Sequence, residues 1–431
     1  MRSIIDRLRS VVKNDFNRNF ITLFSGSALA QVIPLIASVI LARLYDPEDF
    51  GILAVFTSVV TIFTSVVNLR YEFAIPLAKD DKEAVTITLL SGIVAILFSL
   101  VLFLVFLLFQ YEILNLVGGT KIGNLLFLVP LTVFLNGIFN CLNYFSIRFK
   151  KYRVIASSNI IRASSNAGLQ LGMGIFGLKY GGLIAGYVIS FLFGNARMLK
   201  NFFEYRSLIL KVSKMDLKAS AKRFKRFPLI SVWGMFLNNV SLNLNSFFIA
   251  RFFGAGQLGF YSYSYRYINA PLSLISSNMG QLFYQVCTEC YLKGKPANKE
   301  FLATLKRLIL ICAPIFIVLY FIIEDAFLLF FGPKWQFAGL YCKILIPLFF
   351  VRTVYGPLSL ITPAFEKQQL SVLLQVIIFL VNVVVILIAY WSNFTMIKFL
   401  QIYSVSGCIS YIILLVINYR ISKLRFNKTD N

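Results

Sequence analysis

Four arginines stand inside otherwise apolar stretches of this chain: Arg70, Arg162, Arg266 and Arg352. A guanidinium keeps its charge at physiological pH, and its fork meets phosphate or carboxylate through two parallel hydrogen bonds, so the chemistry on offer is anion binding. An arginine in hydrocarbon costs at least about 2.5–3.5 kcal/mol on insertion scales, which demands a water-filled cavity or a partner. The depth of Arg162, Arg266 and Arg352 assigns them to a cavity. Arg70 joins them as a shallower member, with two alternatives: snorkelling to the interface, as is open to Arg197, or pairing with Glu72. Asn238, Asn239, Asn243 and Asn245 share one apolar segment with Ser241 and Ser246. Amides in that number imply a buried or water-lined face, so they either bond neighbouring helices or line a cavity suited to sugars; Asn238 and Asn245 are the candidates for the cavity. Tyr261, Tyr263, Tyr265 and Tyr267 pose a similar choice, between anchoring at a membrane interface and stacking on sugar rings.

Other chemistries lack their parts. The chain has no histidine. Cys287 and Cys290 form a C-x-x-C, but with no second pair the spacing reads as coincidence, and the other cysteines read as small apolar residues. There is no P-loop lysine motif, no Rossmann glycine fingerprint and no elbow serine with a histidine partner. We expect no enzyme activity, no ATP hydrolysis, no metal and no cofactor. Uphill transport would then draw on a proton or sodium gradient, on the membrane potential, or on consumption of the product. Glu72 and Glu289 are places where a coupling ion could bind, with ordinary ion pairing as the alternative.

The elements that must position these residues are membrane helices. Hydrophobic residues make up 58% of the 431 positions and mean hydropathy is +0.77, well outside soluble usage. Apolar stretches long enough to cross a bilayer fall near 20–44, 50–69, 85–109, 122–147, 154–176, 181–203, 229–253, 258–286, 308–331, 340–364, 370–391 and 396–419, which predicts an all-α polytopic membrane protein of about twelve spans. Ser38, Ala42, Arg43 and Gly51 recur at one offset as Ser246, Ala250, Arg251 and Gly259. Such an internal repeat is the ground plan of secondary transporters, which hold a substrate site between related halves. The expected organisation is a cytoplasmic interfacial segment over 1–19, a six-helix bundle over 20–203, a basic bridge over 204–227, a second six-helix bundle over 228–419, and a tail over 420–431.

The formal net charge of +24 invites a nucleic-acid reading, but the positions of the basic residues argue for membrane orientation instead. They cluster before the first span, after each of several even-numbered spans (Arg148 to Arg153, Lys211 to Arg226, Lys293 to Lys299) and at the end, from Arg420 to Lys428. The positive-inside rule then puts both termini and the bridge in the cytoplasm. No cleavable signal peptide is visible in the polar, basic first twenty residues. Ile4, Ile5, Leu8, Val11 and Val12 share one face at helical spacing, as an interfacial helix would need; a basic tail is the alternative. In the bridge, apolar residues such as Leu208, Leu210 and Met215 alternate with lysines that anionic lipid would attract.

The stretch from Ile40 to Leu53, with Ala42-Arg-Leu-Tyr-Asp-Pro-Glu-Asp-Phe-Gly51 at its heart, is followed by Arg70-Tyr-Glu-Phe-Ala-Ile-Pro-Leu-Ala78 and Asp80-Asp-Lys-Glu-Ala84. Together with the echo at Ala250-Arg-Phe-Phe-Gly-Ala-Gly-Gln-Leu-Gly259, it resembles the Wzx-type polysaccharide flippases, including O-antigen flippases, of the multidrug, oligosaccharidyl-lipid and polysaccharide exporter superfamily. That resemblance implies a MATE-like fold with two six-helix bundles set as a V around a central cavity. It implies a flippase of the bacterial inner membrane that moves an undecaprenyl-diphosphate-linked oligosaccharide from the cytoplasmic to the periplasmic leaflet, for O-antigen or capsule. Its partners would be that lipid-linked substrate, membrane lipids and other polysaccharide assembly proteins, with no nucleic acid. Three rivals are weighed against it. A multidrug exporter of the same superfamily would carry deep acidic residues where this chain carries arginines, a peptidoglycan-precursor flippase would carry two further spans, and a Wzy-type polymerase would carry a sizeable periplasmic loop.

Overall fold

The computed structural model describes residues 15–118 and 120–424. The interfacial helix expected near the N-terminus and most of the C-terminal tail lie outside the described residues. The helices are α1 (Asp15–Leu44), α2 (Pro47–Thr64), α3 (Asp81–Leu108), α4 (Gln110–Val117), α5 (Leu128–Arg148), α6 (Tyr152–Ile175), α7 (Lys179–Phe203), α8 (Arg206–Ile209), α9 (Lys214–Arg223), α10 (Val232–Phe252), α11 (Ala255–Leu292), α12 (Asn298–Phe331), α13 (Gln336–Leu358), α14 (Ile361–Ala364), α15 (Gln368–Trp391) and α16 (Met396–Ser422). Every apolar stretch of the sequence carries a helix, and no strand occurs among the described residues.

Eight helical segments among those residues are both long and apolar enough to cross a membrane, and α1 adds the shorter apolar stretch Ala28–Leu44. The long helices outside that set, α6, α10 and α11, are the ones that carry Arg162, the asparagines and Arg266. Leu97, Leu100, Val101, Leu104 and Leu108 are exposed on α3, as are Leu310, Ile317, Phe321 and Leu329 on α12. Apolar surface on that scale has lipid as its solvent. The chain forms two compact units, one up to Gly256 and one from Gln257 onward.

In the first unit the Asp-Pro-Glu-Asp motif sets the start of α2. Pro47 occupies the first turn, where its missing N–H costs nothing. The buried Asp49 carboxylate accepts from the Asp46 N–H at 3.0 Å and, through its other oxygen, from the Tyr180 N–H at 3.0 Å. One side chain therefore caps the N-termini of α2 and α7, where unpaired N–H groups and the helix dipole favour an anion. Tyr45 donates to Gln170 O at 2.7 Å, and Gly182 and Gly186 leave room for Tyr45 and Gln170 beside them. That is the small-residue spacing by which membrane helices approach closely. α10 packs on α2 and α4, where the Arg251 guanidinium donates to Asn115 O near the C-terminal end of α4.

In the second unit Ser264 donates to Ala338 O at 2.6 Å, joining α11 to α13. Lys343 Nζ stands 2.9 Å from Glu324, neutralising one of the two acids near the end of α12. Tyr263 stacks on Trp335 with centroids 4.1 Å apart, and Tyr267 meets Phe331 at 4.9 Å. Tyr261 and Tyr265 pair on another side of the same helix, 6.0 Å apart. Neither pair forms an interfacial belt, since Tyr261 and Tyr263 are buried inside the unit.

The tightest backbone approach is at Gly51, where a Cβ would stand 1.7 Å from Ala255 O. Gly51→Ala should therefore force the start of α2 away from the start of α11, at the cost of overpacking, about 1–3 kcal/mol. Gly168→Ala, in the middle of α6 with open space around its Cα, should be neutral or gain about 0.5–1 kcal/mol from reduced backbone freedom. Melting temperatures of the two purified variants check this, and equal midpoints would mean that Gly51 and Ala255 are not in contact.

Candidate functional site

α2 stops at Thr64, five residues short of the end of its apolar stretch, and the chain turns before entering a 3₁₀ helix at Tyr71–Leu77. Asn68 holds the turn from inside: its amide nitrogen reaches Ser91 O at 3.2 Å, Gly137 O at 3.2 Å and Cys141 Sγ at 3.1 Å. The next two residues, Leu69 (φ 47°) and Arg70 (φ 65°), both take the left-handed conformation. Side chains disfavour that region, and two in succession without a glycine represent backbone strain of the kind that collects at functional sites.

The strained turn delivers Arg70 and Glu72 into a cavity of about 380 Å³ within the first unit. Thr61, Thr64 and Ser65 line it from the end of α2, Asn136, Asn140 and Tyr144 from α5, Tyr187 from α7 and Asn239 from α10. Its size falls within the usual range for ligand sites, but its lining is richer in polar groups than most. The Arg70 guanidinium lies 3.7 Å above the Phe73 ring and 3.9 Å from Glu72 Oε1. Burial pushes the Glu72 carboxyl up to about 7, against the opposing pull of its own backbone hydrogen bond and of Arg70. Near neutral pH this carboxyl therefore takes up a proton far more readily than an ordinary glutamate.

Arg162 adjoins the cavity behind Tyr187. Its guanidinium sits between two rings, 5.2 Å from Phe139 and 4.9 Å from Phe191, with the Tyr187 hydroxyl as its polar neighbour. Gly194 makes this possible, since a Cβ there would stand 3.2 Å from that of Arg162. Aromatic faces stabilise a cation without neutralising it.

The sequence-derived candidates thus separate into groups. Arg70 and Arg162 both lie in the first unit, Arg70 lining the cavity and Arg162 beside its Tyr187. Asn238 is half-buried on α10, and its neighbour Asn239 lines the cavity; Asn245 is buried further along the helix with its Oδ1 unbonded. Arg352 lies in the second unit, where it donates from Nη1 to Tyr265 Oη at 2.7 Å with Tyr403 and Tyr411 near it. Arg266 is exposed on α11, and Glu289 is exposed at the far end of that helix, hydrogen-bonded to Gln285. The sequence reading passed over Asn136, Asn140 and Tyr144. Their spacing of four places all three on one face of α5, and a polar stripe of that period inside an apolar segment is the signal that could have found them.

The cavity wall combines one guanidinium and one carboxyl with three amides and several hydroxyls, donors and acceptors of the kind that anions and hydroxyl-rich groups require. Residues 40–338 match a family described as polysaccharide biosynthesis protein. The chain belongs to that family. A Klebsiella pneumoniae protein described as an uncharacterized membrane protein in the cps region is 24% identical over 392 residues, covering 89% of this chain and 79% of that protein. Among solved structures, an inward-facing multidrug resistance MATE family transporter of the MOP superfamily is similar with TM-score 0.70 at 14% identity, over 91% of this chain and 94% of that one. The lipid II flippase MurJ in an inward closed conformation is similar with TM-score 0.71 at 16% identity, over 93% and 90%. At such identities the likeness is one of fold: this polysaccharide biosynthesis protein is an all-α membrane protein with the fold of MATE and MurJ transporters.

Because the Glu72 pKa is raised in the folded protein, its contribution to stability is fully present below the ordinary value of 4.5 and is lost as pH rises through about 7. Glu72→Gln keeps the shape and removes the titration. Its melting temperature should stay flat between pH 4.5 and 7, where that of the unaltered protein falls. Parallel profiles for the two proteins would show that Glu72 is not a buried carboxyl.

Proposed function

We propose that this protein is a flippase that carries undecaprenyl-diphosphate-linked oligosaccharide units from the cytoplasmic to the periplasmic leaflet of the bacterial inner membrane. The observation that carries the reading is the polar cavity with Arg70 and Arg162, inside a transporter fold and in a polysaccharide biosynthesis family. A diphosphate calls for guanidinium groups, sugars call for amides and hydroxyls, and the isoprenoid tail can remain in lipid. The relative from a cps region favours a capsular polysaccharide as the product. Arg352 with its tyrosines is a second place where an acidic or sugar group could be held, and the lysine and arginine distribution favours cytoplasmic termini.

Glu72 favours a proton as the coupling ion. Protonated, it leaves the charge of Arg70 uncompensated for the substrate; ionised, it offsets that charge. A multidrug exporter shares the fold, but a cavity built around arginines repels the cationic compounds such an exporter would carry.

Deleting the gene should abolish a surface polysaccharide, leave sensitivity to cationic dyes unchanged, and leave lipid-linked units on the cytoplasmic side. Arg70→Ala and Arg162→Ala should each lower export about tenfold or more, the loss expected for one hydrogen bond to a charged group, at unchanged membrane-protein level. Lysine should restore part of the activity, since it keeps the charge without the fork. Normal polysaccharide with increased dye sensitivity would favour drug export instead, and normal export by both alanine variants would remove these arginines from the site.

A further inference from the structure

The bridge between α7 and α10 is two-sided. The side facing the first unit is fixed by specific contacts. Lys82 Nζ lies 2.9 Å from Asp216, Arg223 pairs with Glu83, and Tyr71 donates to Ala221 O at 3.4 Å. Ser220 and Phe224 are buried against the unit, and Leu208, Ile209 and Val212 pack on the same apolar cluster. Ser213 and Asp216 close a capping box that starts α9, and with Lys82 and Ser213 bonded to it the Asp216 carboxyl is held down at about 2. The link to Lys82 therefore persists throughout the physiological pH range.

The other side has no such partners. Between Arg206 and Arg226 the sequence carries eight basic residues and one acid, and that acid is Asp216. Lys214, Lys218 and Lys222 recur every fourth residue and so form one stripe along α9, all exposed, and Lys225 and Arg226 extend it, exposed as well. None of these five forms an ion pair among the described residues. Beside the stripe Met215 is 82% exposed, and Leu210 just before the helix is 85% exposed. Bulky apolar side chains among unpaired lysines suit a surface that is anionic outside and apolar beneath. The contacts of α9 place it at such a surface, because Lys82 and Glu83 belong to the first turn of α3, the end of a helix whose apolar side chains face lipid.

We propose that α9 and its flanks bind the anionic phospholipid headgroups of the bilayer, with the lysine stripe on the phosphates and Met215 and Leu210 among the upper acyl carbons. The strap is thereby held from both sides. Since Tyr71 precedes Glu72 and follows Arg70, anionic lipid under α9 steadies the turn that presents these two residues to the cavity. This inference depends on the membrane fold and not on which substrate is carried.

The test uses the full chain carrying Met215→Cys, with the two half-buried cysteines Cys290 and Cys408 changed to serine. The introduced thiol is labelled with a polarity-sensitive fluorophore, and the protein is reconstituted in vesicles of phosphatidylcholine or of an equal mixture with phosphatidylglycerol. In the anionic vesicles the emission should shift to the blue and quenching by acrylamide should fall several-fold; high salt or K214Q/K218Q/K222Q should abolish both changes. The triple variant removes side chains that pair with nothing, so its melting temperature in detergent should match that of the parent. Identical emission and quenching in the two vesicle types would overturn the proposal. So would a spectral change that appears only when soluble acidic protein is added, which would assign the stripe to a protein partner.

Discussion

A polar group in lipid must be given a partner, a wet surface or a route to the interface, and this constraint organises the whole chain. It explains why the backbone is helical wherever it is apolar, since each N–H and C=O is then satisfied within its own segment. It also explains the inversion of the usual pattern, with leucines outward on α3 and α12 and serines, threonines and asparagines among the buried residues. Asn68 makes the point at one residue. Its amide group lies where α2 has ended and donates to carbonyls of α3 and α5, which ties the segment just before the turn to both helices. The turn itself keeps its backbone paired through short-range bonds, Leu69 N–H to Val66 O at 2.8 Å, Tyr71 N–H to Asn68 O at 3.1 Å and Phe73 N–H to Arg70 O at 3.2 Å.

The same constraint separates the arginines. Arg251 satisfies carbonyl oxygen at a helix end, Arg223 satisfies a carboxylate, and both act as joints between elements. Arg162 and Arg352 are instead set against aromatic rings or tyrosine hydroxyls, which tolerate the charge without cancelling it, and Arg70 lies over Phe73 with only the loose contact to Glu72. A fold that needed these charges only for cohesion would be served better by carboxylates or by apolar residues of similar size, because a buried pair rarely adds net stability. Under the proposed function, Arg70 in the cavity and Arg162 beside its Tyr187 wall keep weakly partnered charge for an anion.

How far the sequence foretold this depends on the range of the interaction. Helix positions were legible because apolar length is a local property, and the arginines were conspicuous as charges in such stretches. The dual role of Asp49 was not, because its second partner is Tyr180, distant in the chain. Nor was the turn at Leu69 and Arg70, where no glycine or proline marks the break and the cause lies in the bonds of Asn68 to α3 and α5. The tyrosines from Tyr261 to Tyr267 alternate in sequence, which left a belt and a sugar-stacking face as alternatives. On a helix the same residues fall on separate sides, so that Tyr263 and Tyr267 meet Trp335 and Phe331 while Tyr265 meets Arg352.

The pairing of Arg70 with Glu72 shows why geometry and titration must be read together. At 3.9 Å the contact is a loose ion pair, and were Glu72 fully ionised the cavity would lose much of its attraction for an anion. Burial raises the carboxyl far enough that a proton can take the place of the missing charge partner. An approaching phosphate would raise it further, since two anions beside one guanidinium repel each other. Under the proposed function, anion entry and proton uptake at Glu72 would favour one another, and by linkage each would strengthen the other equally. The left-handed backbone at Leu69 and Arg70 is what sets the two side chains 3.9 Å apart at the cavity wall, so the geometry that such a coupling would need is built into the turn.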